Sequence, residues 1–207
     1  MKEYYYDKLL NIKTRKNKNT PNDPFIHYHP YEPTPYYVLE ELGKKYPISE
    51  QDHIVDFGCG LGRLNFYIHY FYQASVSGIE RNVTFYENAI ENRNRYLSRF
   101  NKKQDKLQFH YCLAEEYVIR REDNCFYFFN PFSVEIFRRV VQNILASVEL
   151  IQRSVDLILY YPHDDYIYFL EMETLFELVE EVRIPGLYER NPYERILIYR
   201  LNYMVEA

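Results

Sequence analysis

The sequence predicts an α/β protein with a doubly wound, mostly parallel sheet. Short apolar runs typical of buried strands alternate with longer segments whose apolar residues recur at helical spacing. A glycine cluster at 58–62 directly follows the first of these runs. The last two predicted strands have no helix between them and therefore form a hairpin. Five β-α units closed by a hairpin imply one antiparallel strand in an otherwise parallel sheet.

The size and composition of the chain suit a single globular domain. It has 207 residues, of which 47% are hydrophobic, enough to bury a full core. No apolar run approaches the roughly 20 residues that span a bilayer, and the basic N-terminus lacks the apolar stretch of a secretory signal. The three cysteines show neither paired disulfide spacing nor a zinc pattern. We therefore expect a cytoplasmic protein.

The N-terminal residues differ in character from the rest of the chain. Residues 1–33 are polar and poorly periodic, and we expect an arm or lid there, followed by a single domain over 34–207. A helix over 35–42 begins that domain. Thr34 is in position to cap this helix, and Gly43 is in position to close its C-terminus.

Five short apolar runs predict the parallel strands, at 53–57, 75–79, 107–112, 125–129 and 155–161. Their short length and flanking turn residues favour strands over helices. The last run is apolar nearly throughout, as expected of a central parallel strand.

Helical spacing of apolar residues predicts further helices at 64–71, 85–100, 137–148 and about 165–181. Ser133 is in position to cap the third of them. Two strand-like segments, 182–187 and 195–203, then flank Asn191-Pro192. They predict the closing hairpin.

The strongest functional signal is V-D-F-G-C-G-L-G-R at 55–63, where the first strand turns into a helix. Glycines permit positive φ and let the backbone approach a ligand without Cβ atoms in the way. The helix start behind them offers free N–H groups. The alternative is a tight β–α connection that binds no ligand.

Two residues of this segment indicate which ligand it binds. Arg63 stands where a dinucleotide fingerprint has its third glycine, and the Asp56 carboxylate would sit poorly beside a pyrophosphate. Both observations disfavour a nicotinamide-dependent oxidoreductase. An acid here suits a cationic ligand end, such as the ammonium or sulfonium of S-adenosylmethionine.

A second acid, Glu80, directly follows the second predicted strand. A carboxylate at that strand end can accept both hydroxyls of a ribose, as in nucleotide-binding sheets. The alternative is an exposed loop acid.

Together, these segments resemble the class I S-adenosylmethionine-dependent methyltransferases. The resemblance rests on the motif at 55–63, S-G-I-E at 77–80 and N-P-F at 130–132, and it covers the chain from about Tyr31 onward. It implies a seven-stranded sheet in the order 3-2-1-4-5-7-6, with strand 7 antiparallel and helices on both faces. It also implies S-adenosylmethionine as the cofactor.

The resemblance further implies a set of cofactor contacts: Asp56, Gly58, Cys59, Gly60, Gly62, Glu80, Arg81, Ala114, Glu115 and Asn130. In that family the glycine loop wraps the methionine part, and the acid closing strand two holds the ribose. The turn after strand three frames the adenine. Many members have an Asp where this chain has Leu113, and Glu115 is the candidate to replace it.

The segment after the fourth strand resembles the N-P-P-Y/F motif of methyltransferases that act on exocyclic or amide nitrogens. There the Asn side chain and a proline carbonyl accept amino protons, and the aromatic ring stacks on the planar group. Asn130, Pro131 and Phe132 are therefore candidate catalytic residues, although this chain has one proline rather than two. The alternative is a turn in which Asn130 and Ser133 only cap the next helix.

The histidines offer one more catalytic candidate. His163 follows the fifth strand and could act as a base for a hydroxyl acceptor, or it could simply be a solvated loop residue. His27 and His29 have no third or fourth ligand nearby in sequence, so we predict no metal site.

Three functions follow from these observations. The net charge of −5 favours a methyltransferase acting on a small molecule or protein, and this is our prediction. The N-P-F segment and the basic runs at 13–18 and 93–106 favour the alternative, an N-methyltransferase acting on a base amino group of RNA or DNA. The single proline and Leu113 allow a third, non-catalytic S-adenosylmethionine-binding or scaffold protein. The expected partners are S-adenosylmethionine and a methyl acceptor, without a membrane.

Overall fold

A computed structural model of the chain describes residues 2–15, 29, 31–100 and 105–203. Its strands are β1 (His53–Phe57), β2 (Ser75–Glu80), β3 (Leu107–Tyr111), β4 (Cys125–Phe129), β5 (Val155–Tyr160), β6 (Glu177–Arg183) and β7 (Arg195–Leu201). Its α-helices are α1 (Lys2–Leu10), α2 (Tyr36–Lys45), α3 (Arg63–Tyr72), α4 (Val83–Phe100), α5 (Val134–Leu150) and α6 (Asp164–Glu173). A 3-10 turn, Ala114–Glu116, follows β3.

The strands form one seven-stranded sheet in the order β3-β2-β1-β4-β5-β7-β6. The pairs formed by β1, β2, β3, β4 and β5 are parallel, whereas β7 runs antiparallel to both β5 and β6. One face packs against α1, α2, α3 and α4, and the other packs against α5 and α6. The predicted fold class and strand order are confirmed.

Side-chain alternation along the central strands explains the two layers. In β4, Cys125 and Tyr127 face the first helical layer, and Phe126 and Phe128 face the second. Because successive side chains of a strand point to opposite faces, a strand buried on both faces is apolar at nearly every position. The amphipathic helix α5 completes the second layer and follows Ser133, as predicted.

The predicted helix over 165–181 is wrong in its second half. Helix α6 ends at Glu173. The strand predicted at 182–187 is also misplaced, because β6 spans Glu177–Arg183 and pairs with β7 as an edge strand. The first four residues of β6 are exposed, so this strand shows no alternation of apolar and polar residues. Phe176, which fitted the helical pattern, is buried just before the strand. Here pairing with β7 overrides the helix propensity of a Glu-rich segment.

The predicted end of α2 at Gly43 is also wrong, because the helix continues to Lys45. A Cβ atom at Gly43 would collide with the Tyr72 hydroxyl of α3. This glycine therefore allows two helices to approach each other. At the other end Pro35 occupies the cap position, whereas the Thr34 hydroxyl is hydrogen-bonded to the Tyr127 hydroxyl at 2.9 Å.

Helix α1 lies in the segment for which the sequence predicted no regular element. Its Leu10 and the following Ile12 are buried in the core of the first helical layer. Within the described ranges, no helix has the length and apolar character needed to cross a membrane.

A buried ion pair ties β5 to β7 near the amino end of β5. Arg200 donates to both carboxylate oxygens of Asp156 at 2.7 Å, and the Tyr46 hydroxyl donates to the same carboxylate at 2.6 Å. Asp156 is buried, whereas Arg200 is only partly covered. The two hydrogen bonds from Arg200 satisfy the Asp156 carboxylate, whose burial without partners would cost stability.

Substituting Arg200→Met should therefore lower the free energy of unfolding by about 2 kcal/mol, since it leaves the Asp156 carboxylate with one donor. Urea unfolding measures this loss. Arg183→Met is the control, because Arg183 is an exposed arginine of the neighbouring strand, paired with Glu181. We expect that control to stay within about 0.5 kcal/mol of the native chain. Equal losses for the two variants would contradict the assignment.

Candidate functional site

The carboxyl ends of β1, β2 and β4 open into a cavity of about 400 Å³. The cavity lies at the end of β1. On one side of β1 the sheet continues through β2 to the edge strand β3, and on the other side it continues through β4 to the edge strand β6. Ligands of open α/β sheets bind at such a switch point. The other walls come from the described residues between His29 and Thr34, from the first residues of α3, from Phe85 of α4, from the turn after β3 and from Tyr161 after β5.

The glycine loop after β1 forms the floor of this cavity. Gly58, Gly60 and Gly62 have φ values of 80°, 54° and 84°, a left-handed conformation that favours glycine. A Cβ atom at Gly58 would lie 2.7 Å from the Pro131 side chain, and one at Gly60 would collide with the Tyr31 ring. The loop therefore needs glycine both for its backbone and for close approach from two sides.

The third glycine has a packing role. Gly62 does not line the cavity, and a Cβ atom there would lie 2.7 Å from the Phe109 ring and 2.9 Å from the Phe66 ring. Gly60 also lies outside the cavity lining, and its N–H donates to the Glu80 carboxylate at 2.9 Å. Of the predicted loop contacts, the structure places Gly58 and Cys59 on the cavity wall.

Two buried carboxyl groups face the cavity at the ends of β1 and β2. Asp56 is 5% exposed, and its pKa is raised to about 8 by burial and by the nearby Glu80 charge. Glu80 is 7% exposed and accepts hydrogen bonds from the N–H groups of Gly60 and Asn82. Burial raises the pKa of Glu80, although these hydrogen bonds oppose the shift. Two acids in a poorly solvated wall favour a cationic group between them.

Arg63, the first residue of α3, brings a buried positive charge to the same wall. It is 4% exposed, its Nε donates to the Thr14 hydroxyl at 2.8 Å, and its guanidinium lies 4.6 Å above the Tyr36 ring. It also forms an ion pair with Glu3 and donates to the Thr34 carbonyl. From the sequence we used Arg63 only as evidence against a dinucleotide-binding site. Its position directly after the glycine loop is the signal that could have identified it as a site residue.

The described residues 29 and 31–33 of the predicted arm line the cavity. The Tyr31 hydroxyl donates to the Thr14 carbonyl at 2.7 Å, and its ring lies against Phe85 at 5.1 Å. The His29 N–H donates to the Pro131 carbonyl at 3.1 Å. The boundary between an arm over 1–33 and a domain over 34–207 stays a prediction.

The predicted acceptor residues follow β4 and line the cavity. Asn130 has a φ of 37°, and its Oδ1 is a buried acceptor with no hydrogen-bond partner in the described part of the chain. Phe132 is 1% exposed and packs edge-on against Phe128, so most of its ring belongs to the core. An unpaired buried acceptor at a cavity wall is a position where a ligand N–H or O–H group would bind.

Two further predicted residues, His163 and Glu115, also lie outside the cavity lining. The side chain of His163 is 57% exposed, and its Nδ1 accepts from the Asp165 N–H, which caps α6. Glu115 pairs with Arg139 of α5 at 3.2 Å and does not line the cavity. Its neighbour Ala114 does line the cavity.

Other cavity residues were not predicted from the sequence: His29, Tyr31, Glu32, Pro33, Thr34, Arg63, Cys112, Tyr127, Phe129 and Tyr161. They lie far apart in the chain and meet only in the folded sheet. The predicted Arg81 lines the cavity beside Glu80. Throughout the described ranges, no three His, Cys, Asp or Glu side chains come together as a possible metal site.

Structural comparison with known proteins identifies the fold, whereas sequence comparison gives no match. No protein-family model matches the chain, and no curated protein matches it in sequence. An RNA methyltransferase from Salinibacter ruber in complex with S-adenosyl-L-homocysteine superposes with a TM-score of 0.58 at 17% identity, covering 85% of this chain and 96% of that one. A putative RNA methyltransferase from Pyrococcus horikoshii gives 0.59 at 18% identity and covers 99% of both chains.

A third neighbour, the [4+2]-cyclase SpnF, has a TM-score of 0.59 at 12% identity and covers 98% of this chain and 95% of that one. At these identities the likeness establishes architecture. The strand order, the antiparallel β7 and the helices on both faces agree with it. The chain has the class I S-adenosylmethionine-dependent methyltransferase fold.

Proposed function

We propose that this protein is a methyltransferase that binds S-adenosylmethionine in the cavity at the carboxyl ends of β1, β2 and β4. The observation that carries the proposal is the pair of buried acids, Asp56 and Glu80, beside a glycine loop with positive φ. The S-adenosylhomocysteine bound to one structural neighbour supports the same cofactor.

The residues of the cavity fit this cofactor. Asp56 is positioned to hold a cationic group, because an ammonium would offset the cost of its buried negative charge. Glu80 uses its two oxygens for backbone N–H groups and keeps lone pairs for ribose hydroxyls, since an ionised carboxylate accepts about four hydrogen bonds. Cys112, Ala114 and Phe85 supply a less polar wall for the adenine.

Methyl transfer from a sulfonium requires little help from acid or base side chains. The bound cofactor would supply a methyl group activated by a sulfonium. The protein has to align the acceptor, hold it in place and exclude water. We assign Asn130 to orienting the acceptor through its free Oδ1, with Pro131 and Phe132 shaping the wall beside it. His163 has no part in this assignment, because its imidazole caps α6.

We propose a small-molecule or protein acceptor. Of the lining residues that are not buried, Glu32 is acidic and Phe129 and Tyr161 are aromatic, which does not suit a phosphate backbone. Arg81 and His29 are the basic side chains beside them. Two described residues of the basic run at 93–106 bind carbonyl groups of the protein's own backbone. Arg93 donates to the Leu107 carbonyl at 2.7 Å, and Lys106 donates to the Gln73 carbonyl at 2.9 Å.

The alternative acceptor is a base amino group of RNA or DNA. It is favoured by the two structural neighbours described as RNA methyltransferases and by the free Asn130 Oδ1. A non-catalytic cofactor-binding or scaffold role is the further alternative, since one fold supports many functions. We also propose that the protein is located in the cytoplasm.

Calorimetric titration with S-adenosylhomocysteine tests the cofactor. We expect micromolar binding, weakened at least about tenfold by Asp56→Ala and by Glu80→Ala, because each removes a charged hydrogen-bonding partner of the ligand. NADH is the control ligand. Glu177→Ala, which removes an exposed acid on β6, is the control variant. Absence of binding at millimolar ligand by the folded protein would contradict the proposal.

The affinity should also depend on pH. The pKa of Asp56 is about 8 in the free protein, so this group is mostly protonated at pH 6. A cationic ligand end needs the carboxylate, and binding must therefore displace a proton below pH 8. We expect the affinity for S-adenosylhomocysteine to rise by up to about tenfold per pH unit between pH 6 and 8.

Titrations at several pH values, with the Asp56→Asn variant as comparison, measure this dependence. The variant has no proton to lose at this position and should give a flatter profile. The same slope for both proteins would show that Asp56 does not carry the linkage.

A further inference from the structure

Helix α6 presents apolar side chains on both of its faces. The buried face packs in the second helical layer through Tyr166, Phe169 and Leu170. On the opposite face Tyr168 and Met172 are 62% and 67% exposed, and Leu175, just beyond the end of the helix, is 82% exposed. A helix on the surface of a soluble protein normally turns polar side chains to solvent. The outer face of α6 instead carries a row of exposed apolar side chains.

Acidic side chains surround this row. Asp164, Asp165 and Glu171 are exposed and lie three or four residues from Tyr168, which places them on the same side of the helix. Residues 161–182 contain seven acids and neither Lys nor Arg. We call Tyr168, Met172 and Leu175, together with these three acids, the α6 surface.

Basic side chains do not neutralise the three acids. The Tyr193 hydroxyl donates to Asp164 at 3.1 Å, and the Tyr199 hydroxyl donates to Glu171 at 3.0 Å. Asp165 lies 3.3 Å from the His163 imidazole that caps the helix. Within the described ranges none of the three acids pairs with a Lys or Arg side chain. The α6 surface therefore combines exposed apolar side chains with negative charge that no Lys or Arg offsets.

The composition of the α6 surface is typical of a protein-binding site. Single exposed apolar residues are common on proteins, whereas an apolar patch with a polar rim marks an interaction surface. Tyr and Met are enriched in the cores of protein interfaces, and the flexible Met side chain adapts to the shape of a partner. Tyr168 and Met172 lie one helical turn apart at the centre of this surface.

The charge of the α6 surface selects among possible partners. A second copy of the chain in a symmetric dimer would bring the same acids against each other, which is unfavourable. An anionic lipid surface and a phosphate backbone would meet the same repulsion. A polypeptide with both apolar and basic side chains would cover the row and offset the acids.

The neighbouring edge strand β6 argues for a helical partner rather than an added strand. Its pairing with β7 shifts register between Leu178 and Glu180, and such irregularities protect a sheet edge from pairing with another chain. The apolar row lies on a helix, and helices bind one another through rows of apolar side chains at helical spacing.

We therefore propose that the α6 surface is a docking site for a basic amphipathic helix of another protein. The apolar face of that helix covers Tyr168, Met172 and Leu175, and its Lys or Arg side chains pair with the surrounding acids. None of these residues lines the cavity, so docking at α6 goes beyond the proposed function and does not depend on it.

A tryptophan introduced on the α6 surface reports directly on docking. The chain contains no Trp, so Tyr168→Trp provides a single indole. The probe is a synthetic peptide of about 18 residues, or about five helical turns, with Leu at helical spacing and Lys at all other positions. We expect the peptide to shift the indole emission to shorter wavelength and to reduce its quenching by acrylamide. Tyr5→Trp on α1, where Tyr5 is 61% exposed, is the control and should show neither change.

Fluorescence anisotropy of the labelled peptide measures the apolar contribution. We expect micromolar binding to the native chain and a loss of about tenfold for Leu175→Ser, the size expected from burial of one leucine side chain. Val118→Ser removes an equally exposed apolar residue from the loop before β4 and should leave the affinity unchanged.

The charge contribution is tested in the same assay. Glu171→Gln should weaken binding and reduce its dependence on salt, because an exposed ion pair is screened by salt. Glu87→Gln, which removes an exposed acid from α4 on the other face of the sheet, should change neither. A peptide with Glu in place of Lys should not bind.

Several results would overturn the proposal. Equal affinities for Leu175→Ser and Val118→Ser, or equal binding of the Lys and Glu peptides, would show that the α6 surface does not select a basic apolar helix. A dimer of the native chain that Leu175→Ser dissociates in sedimentation would assign the surface to a second copy. Binding to phosphatidylglycerol vesicles that Leu175→Ser abolishes would assign it to a membrane.

Discussion

The close approach of three chain segments at the glycine loop is the constraint on which the rest of the site depends. Pro131 approaches Gly58 and Tyr31 approaches Gly60, each too closely for any side chain on the loop. The loop itself can take this path because its glycines tolerate positive φ. As a result, the end of β1, the turn after β4 and the Tyr31 ring share one small space. The cavity is the part of that space that the loop leaves open.

Burial of charge distinguishes this site from ordinary strand ends. Arg63 has partners from the N-terminal segment, and Glu80 accepts two backbone N–H groups. Asp56 differs, because burial and the Glu80 charge raise its pKa without hydrogen bonds that offset them in the described part of the chain. A buried carboxyl group of this kind costs stability in the free protein. Such groups are concentrated at functional sites, where a ligand supplies the missing partner.

The acceptor end of the cavity is built differently from the cofactor end. Phe132, the aromatic residue of the N-P-F segment, packs mostly in the core, while Phe129 and Tyr161 reach the cavity from the ends of β4 and β5. Asn130 presents the one buried side-chain acceptor of this segment that lacks a partner among the described residues. Because the fold hosts many reactions, these side chains rather than the sheet decide which molecule is bound.

The succession of strands and helices along the chain and the main site acids could be predicted from the sequence, because both depend on local patterns, whereas the order of the strands in the sheet was implied by the resemblance to a known family. Apolar runs, helical spacing and the loop at 58–62 are visible within short windows, and Asp56 and Glu80 directly precede or follow turns. The hairpin was predicted, but the position of β6 was not, since its first four residues are exposed without alternation and only pairing with β7 makes them part of a strand. The roles of Gly62, Arg63 and His29 depended on contacts with residues distant in the chain. The sequence by itself thus determined most of the helices and strands and the position of the glycine loop, apart from α1 and the bounds of α6 and β6. The tertiary structure decided which side chains share the cavity, because burial and long-range contacts exist only after the sheet and the segments packed on it have assembled.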